Sequence, residues 1–578
     1  MKPLDVSRRE FIRTAAAVGG GLALTLTLPG LARESGGSWG GGSSAPRSPS
    51  AFLQIGEDDA ITVISPAVEM GQGGHTAMPM ILLEELGGAW RHLRRVDDAA
   101  AAAVYANPRT HQQLTVGSFA VRGWYTELRR IGAAAREMLI EAAARQWQVS
   151  PHECAAADSL IIHRPSGRRR TFGSVASLAA GLAVPQQPAL KPAERFELIG
   201  SSPPRVDIPA KVDGSAVFGI DVRVPGMLLA AIKTCPTLGG KLKSFDDSAA
   251  KRMAGYHATV PLADGIILVG QTYWQAKKAL DAVRVEYEPG PLGNLDSEKI
   301  SSLLHAGLDE QGVVARDDGD VRAALAGAAT TIEAVYEVPY LAHACMEPMN
   351  CTALIDEQGD GEVWCGTQAP QSAQAAAAAV LGVSAARIKA HTTYLGGGFG
   401  RRGEADFVTQ AMTAAKAVGR PVKLIWSREQ DIQHDFYRPA VVMRGRAGLD
   451  RTGRMIALDC HVVTASSGPA FGRKVSFTVG LDDMSYAIAS FRVTGVDKQI
   501  GVSFGYWRSV YRSHNPFMLE GFIDEIAHRA GRDPYEFRRS MLQRAPRQAG
   551  VLDLLAQKSD WAHPRPGRHL GIAALPGL

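Results

Sequence analysis

The sequence predicts an α+β protein of several domains, on three observations. The chain has 578 residues, too many for one hydrophobic core. From residue 52 onward, short apolar runs suited to strands alternate with stretches of helical period. Between about 205 and 289 the character shifts to β-rich runs broken by the turns Asp213-Gly214 and Pro225-Gly226. That stretch reads as an α+β module of its own.

The composition is that of an ordinary globular protein, with 46% hydrophobic and 21% charged residues. The net charge of +5 is spread along the chain, and Arg168-Arg169-Arg170 reads as a solvated basic face rather than a nucleic-acid footprint. None of the six cysteines forms a C-x-x-C pair. This argues against an iron–sulfur cluster, a structural zinc or a c-type haem on this chain, and leaves the cysteines as small core residues.

Ser7-Arg8-Arg9-Glu10-Phe11-Ile12 precedes a weakly apolar run over residues 15–28 and the small residues of Pro29-Gly30-Leu31-Ala32. Residues 1–32 thus read as a twin-arginine signal peptide, which implies export to the periplasm. That route carries proteins folded beforehand, commonly around a cofactor. Residues 33–50, rich in Gly and Ser, read as a flexible linker, with the fold starting near Phe52.

Along the fold, "AITVISPAVEMGQGGHTAMPMILLEEL" predicts a strand, a glycine turn and a helix. Residues 123–149 predict a long helix with Trp124, Leu128, Ile131, Ala135, Met138 and Leu139 on its buried face. Residues 290–320 are polar and read as a connector. Further on, "RIKAHTTYL" predicts a strand, and residues 404–418 a helix buried through Phe407, Ala411, Ala415 and Val418 and ended by Gly419 and Pro421. Asn515-Pro516 and Asp533-Pro534 each start a helix, the second with Glu536 placed for a capping box.

Four turns at predicted strand ends carry the chemistry. Gly396-Gly397-Gly398-Phe399-Gly400 precedes a helix, so bare N–H groups and the helix dipole favour an anion, with Arg401 and Arg402 placed to meet phosphates. It has neither the Lys-Ser/Thr of a P-loop nor the G-x-G-x-x-G order of a dinucleotide turn. Met70-Gly71-Gln72-Gly73-Gly74-His75-Thr76 has the same setting, with His75 read as a structural histidine. Gly366-Thr367-Gln368 and Trp507-Arg508-Ser509 complete the set. In the dense stretch from His343 to Asn350, Glu347 before Pro348 reads as structural. Glu84-Glu85 reads as a solvated helix face, and Asp524-Glu525 as packing or interface.

Taken together, "VEMGQGGHTAMPMILLEEL", "RVDIPAKVDGSAVFGIDVRVPGMLLAAI", "HACMEPMNCTALI", "WCGTQAPQSAQ", "LGGGFGRR" and "YWRSVYRSHNPFMLEGFIDEIAHRAGRDPYEFRRSML" resemble the molybdopterin-binding subunit of the xanthine dehydrogenase and aldehyde oxidase family, and within it the isoquinoline 1-oxidoreductase beta subunit type. The resemblance runs from Phe52 to about Ala574. It implies a molybdenum hydroxylase large-subunit fold, with an α/β hammerhead domain (201–300) between two molybdopterin-binding bodies (51–200 and 301–578). It also implies a molybdenum–molybdopterin cytosine dinucleotide cofactor and hydroxylation of an aldehyde or aromatic N-heterocycle with water as the oxygen source. Electrons would leave through a small [2Fe–2S] subunit, a c-type cytochrome, or both.

By the same resemblance, Gln368 would lie beside the molybdenum ligands, and Phe399 and Gly400 against the metal centre. Gln72 and Gly73 would contact the pterin or its pyrophosphate, Gly71, Gly397 and Gly398 would also bind the cofactor, and Arg508 would line the substrate end. Gly117 and Ser118 would form a further cofactor loop, although Thr115-Val116-Gly117-Ser118-Phe119-Ala120 departs from the family's "TGGSTS". No protein ligand to the metal is expected. The family's catalytic glutamate, in a Gly-Glu-Pro-Gly-like motif, is expected beyond Leu578. The leading expectation is the large subunit of a molybdenum hydroxylase; the alternative is a truncated, catalytically inactive member with little or no turnover that binds cofactor or partner only.

Overall fold

The computed structural model describes residues 22–23, 52–466 and 477–575. The twin-arginine motif, the cleavage site and the linker lie outside the described residues. The secondary structure forms three main bodies, the second and third interleaved along the chain.

The first is built on a four-stranded sheet in which Leu22–Ala23, Leu53–Ile55, Ile61–Ser65 and Leu93–Asp98 lie in that order. The last two strands run parallel. The helices Gly74–Leu86 and Phe119–Trp147 pack against each other and the sheet. All six residues expected on the buried face of the longer helix are buried, and it starts four residues earlier than its periodicity predicts. The shorter helix buries eleven of its thirteen residues. It has no polar face, which overturns the reading of Glu84-Glu85 as solvated: both are fully or almost fully buried. Arg129 (2.7 Å) and Arg136 (3.2 Å) pair with Glu85. Lys191 pairs with Glu84 at 3.0 Å, and Glu84 also accepts from the backbone N–H groups of Glu197, Leu198 and Ile199. These acids tie the segment 189–199 down as a strap.

The second body is a seven-stranded sheet ordered Tyr256–Pro261, Gly265–Gly270, Leu228–Thr234, Val422–Ile425, Asn350–Ile355, Gly361–Cys365, Ile388–Thr392. Strands from the 228–270 stretch and from beyond residue 350 thus share one sheet, joined by the parallel pair Leu228–Thr234 and Val422–Ile425. Alternation serves two cores. Ala230, Ile232, Ile267 and Val269 face the helix Asp406–Val418, while Ala231, Ile266 and Leu268 face the helix Tyr273–Ala282. Gly361–Cys365 and Ile388–Thr392 are parallel, so their C-terminal ends emerge at the same edge.

The third body is a five-stranded sheet ordered Val313–Asp318, Ser490–Gln499, Met455–Ser466, Val441–Leu449, Thr330–Val338. The helix Asn515–Arg529 covers one face and Ser297–Gly307 the other. The stretch read as a connector therefore supplies a helix and an edge strand. All six cysteines are buried and free. No helix among the described residues is long and apolar enough to cross a membrane.

Candidate functional site

Gln368 is the knot of the predicted loops. It follows the strand Gly361–Cys365 and is buried. Its side-chain Nε2 donates to the Thr115 carbonyl (2.8 Å), and its Oε1 accepts from the Gly400 N–H (3.0 Å). Its backbone exchanges further bonds with Thr115 and Arg402, both 2.9 Å. Val68 donates its N–H to the Thr115 hydroxyl, which draws in the loop after Ile61–Ser65. The loops around residues 68–74, 115–118, 366–368 and 396–402 thus meet, although Thr115 and Gln368 alone lie 253 positions apart.

The glycines sit where side chains have no room. A Cβ on Gly400 (φ 115°) would lie 1.9 Å from the Tyr506 carbonyl oxygen, so the segment leading to Trp507 and Arg508 presses on this loop. A Cβ on Gly398 would lie 2.6 Å from Gln368 Oε1 and 3.0 Å from Met70 Sδ. Phe399 adopts a left-handed φ of 55° and is 41% exposed, an unusual state for an aromatic residue in so tight a turn. The N–H groups of Gly397, Gly398 and Phe399 meet no acceptor among the described residues, and neither do those of Gly117 and Ser118. Arg508 is exposed and has no ion pair among the described residues.

Several expectations are corrected. Arg401 and Arg402 do not face outward to phosphates; both are buried. Arg402 donates to the carbonyls of Gly397, Gly366 and Glu347 and pairs with the Glu347 carboxylate at 3.0 Å. Arg401 makes two bonds to Asp406, at 2.9 and 2.8 Å, and an ion pair with Asp435 at 3.1 Å. The helix begins only at Asp406, so a 3₁₀ turn over Arg401–Gly403 separates its N-terminus from the glycines. The reading of Glu347 as structural agrees with the geometry: its Oε2 accepts from Gly396 (2.9 Å), and its Oε1 from Ile220 and Asn350.

The turn at Gly71, Gln72 and Gly73 differs most from expectation. Its N–H groups converge as predicted, but a protein carboxylate already fills the nest. Glu69, fully buried, accepts from Gly71 (2.7 Å), Gly73 (3.1 Å) and His75 (2.9 Å). The Gln72 amide folds back onto Met70 N–H and the Val68 carbonyl. The sequence reading missed Glu69, although an acid two residues before the first glycine was a visible signal. It also missed Asp435 and Tyr506, whose partnership with His343 has no local signature.

Burial raises the Cys345 thiol to about 11, so this cysteine beside the Gly398 carbonyl is an inert thiol. A cavity of about 860 Å³ opens between the end of the helix Gly74–Leu86 and the strap. Its walls hold none of the predicted site residues, and its mixed charges converge on no single group. The convergence around Gln368 is the better candidate.

Loops of bare backbone gathered at strand ends and held by buried acids thus leave N–H donors from several segments open at one place. Residues 7–218 and 305–542 each match a molybdopterin cofactor-binding domain. The chain is 31% identical to the isoquinoline 1-oxidoreductase subunit beta of Brevundimonas diminuta, over 99% of this chain and 80% of that one. It is 30% identical to a protein of Gluconacetobacter polyoxogenes named as a membrane-bound aldehyde dehydrogenase [pyrroloquinoline-quinone], over 89% of this chain and 71% of that one. The fold is similar to that of the aldehyde oxidoreductase from Desulfovibrio gigas, with a TM-score of 0.51 and 20% identity over 68% of this chain. The chain spans about half the length of that solved structure. This chain belongs to the molybdopterin-binding subunits of the xanthine dehydrogenase and aldehyde oxidase family.

Proposed function

We propose that this chain holds a molybdenum–molybdopterin cytosine dinucleotide and hydroxylates an aldehyde or an aromatic N-heterocycle. Water supplies the oxygen, and a [2Fe–2S] subunit or a c-type cytochrome takes the electrons. The observation that carries this reading is the open set of N–H groups at Gly397, Gly398, Phe399, Gly117 and Ser118, in loops joined through Gln368. These residues fit an anionic, multi-ring group, which needs donors from several loops at once.

When bound, the cofactor supplies two-electron oxidation with oxygen transfer from water. The protein residues do the rest. Gln368 fixes the spacing of the 115 and 400 loops and keeps a second N–H and a second lone pair for a ligand. Phe399 offers its exposed ring as an apolar surface, and Arg508 a free guanidinium for an anionic edge. Gly71, Gln72 and Gly73 act differently from Gly397 and Gly398. With Glu69 in their nest, they shape the loop and leave the phosphates to other donors.

The test uses protein purified from cells supplied with molybdate. Expected are about one molybdenum per chain, cytidine monophosphate on acid hydrolysis, and dye-linked oxidation of an aldehyde or an N-heterocycle. Metal without oxidation would sink the catalytic part and leave a binding protein; absence of both metal and pterin would sink the whole reading. Export is proposed to follow the twin-arginine route, so replacing Arg8 and Arg9 by lysine should abolish periplasmic accumulation. Unchanged export would refute it.

A further inference from the structure

Behind the segment that presses on Gly400 lies a histidine with acceptors on both sides. His343 Nε2 is 2.7 Å from the Tyr506 carbonyl oxygen, the atom that occupies the space a Gly400 Cβ would need. A carbonyl oxygen has only lone pairs to offer, so Nε2 carries a proton. His343 Nδ1 lies 2.9 and 3.0 Å from the two oxygens of Asp435. That carboxylate also accepts from the backbone N–H groups of His343 and Phe436 and pairs with Arg401 at 3.1 Å. The ring thus bridges a firmly held carboxylate on one side and the Tyr506 carbonyl on the other.

We infer that His343, held by Asp435, anchors the Tyr506-Trp507-Arg508 segment onto Gly400 through its bond to the Tyr506 carbonyl, making it a positioning residue for the site. The charges behind Asp435 fix that carboxylate in place. Asp435 faces the ring, Arg401 lies behind Asp435, and Asp406 holds Arg401 from the other side. Asp431 adds a further negative charge near Arg401 and Asp435. Glu404 acts on Arg401 and Asp406. The Trp507 ring covers the imidazole with 4.3 Å between centroids, so the histidine also packs on the segment it anchors. The ring is almost fully buried and makes no contact with solvent that would supply another partner.

The inference deepens the proposed function, since it rests on that reading for what the anchored segment serves; the anchoring stands on the geometry alone. Amide exchange on full-length protein gives the test. Peptides covering residues 503–510 should exchange roughly tenfold faster or more in His343→Gln, because the bond to the Tyr506 carbonyl is lost, while peptides of the helix Phe119–Trp147 keep the wild-type rate. If that variant does not fold, Trp507→Leu, which removes the ring packing on His343, should speed the same peptides. Unchanged exchange at 503–510 would refute the anchoring. Wild-type protein that lacks molybdenum, with residues 503–510 loosened in His343→Gln, would sink the proposed function alone, and loaded protein whose exchange there is unchanged in His343→Gln would sink this inference alone.

Discussion

Glu404 stands one residue past the 3₁₀ turn that follows the glycine loop, and its Oε1 is buried without a hydrogen-bond partner among the described residues. Burial, then the charge of Asp406, pushes its carboxyl up to about 7, with partial relief from Arg401. In the fold the group keeps its proton to about pH 7, but when unfolded only to the ordinary carboxylate range. Between those values the folded state binds more protons, so stability falls as pH rises and the loss is complete above about 7. Glu404→Gln should therefore raise the melting temperature at pH 8, by the equivalent of about 2 kcal/mol, and leave it unchanged at pH 4. An equal effect at both pH values would point to packing instead. At this scale the sequence made the glycines legible, because positive φ and close backbone approach admit little else. It did not reveal that Arg401 and Arg402 turn inward, since Asp435 and Glu347 lie 34 and 55 positions away from them in the chain.

At the scale of elements, amphipathic helices were readable and a buried one was not. The helix Phe119–Trp147 buries the face its periodicity marks, and Asp406–Val418 does so through Phe407, Ala411 and Ala415, with Val418 half-buried at its end. Gly74–Leu86 is buried nearly all round, so its polar residues carry no positional information in sequence. Glu85 shows the consequence: its carboxylate meets Arg129, Arg136 and the Lys191 N–H inside the protein. Glu85→Ala should cost about 1–3 kcal/mol, because it leaves two half-buried guanidinium groups without their counter-charge and the Lys191 N–H without its acceptor. The strap 189–199 should then be cut faster by protease at native temperature, and a cleavage rate equal to wild type would refute its role as a clamp. The segment 290–320 was misread for the opposite reason. Its edge strand Val313–Asp318 is polar and exposed, because only one of its sides is paired.

At the scale of the whole molecule, the side chain of Gln368 joins the first body to the second. Gln368→Ala would leave the Thr115 carbonyl and the Gly400 N–H buried and unpaired, at about 1–3 kcal/mol for each group. The expected outcome is a lower melting temperature and loss of most bound molybdenum, with secondary structure intact by circular dichroism. Full metal retention would show that the two bodies hold the cofactor without this link. The C-terminal ends of parallel strand pairs place three of the loops at sheet edges, as parallel topology does generally.

By itself, the sequence determined the elements with a face and the turns without side chains, because both follow from sterics and period over a few residues. It also determined the family, because many such turns occur in one order. The tertiary structure decided which donors stay open. Gly71 and Gly73 are closed by Glu69, while Gly397, Gly398 and Phe399 are not. It decided as well that His343 is doubly bonded, by Asp435 and the Tyr506 carbonyl, 92 and 163 positions away. A hydrogen-bonding group is free or taken only once distant segments have met, and no local pattern encodes that meeting.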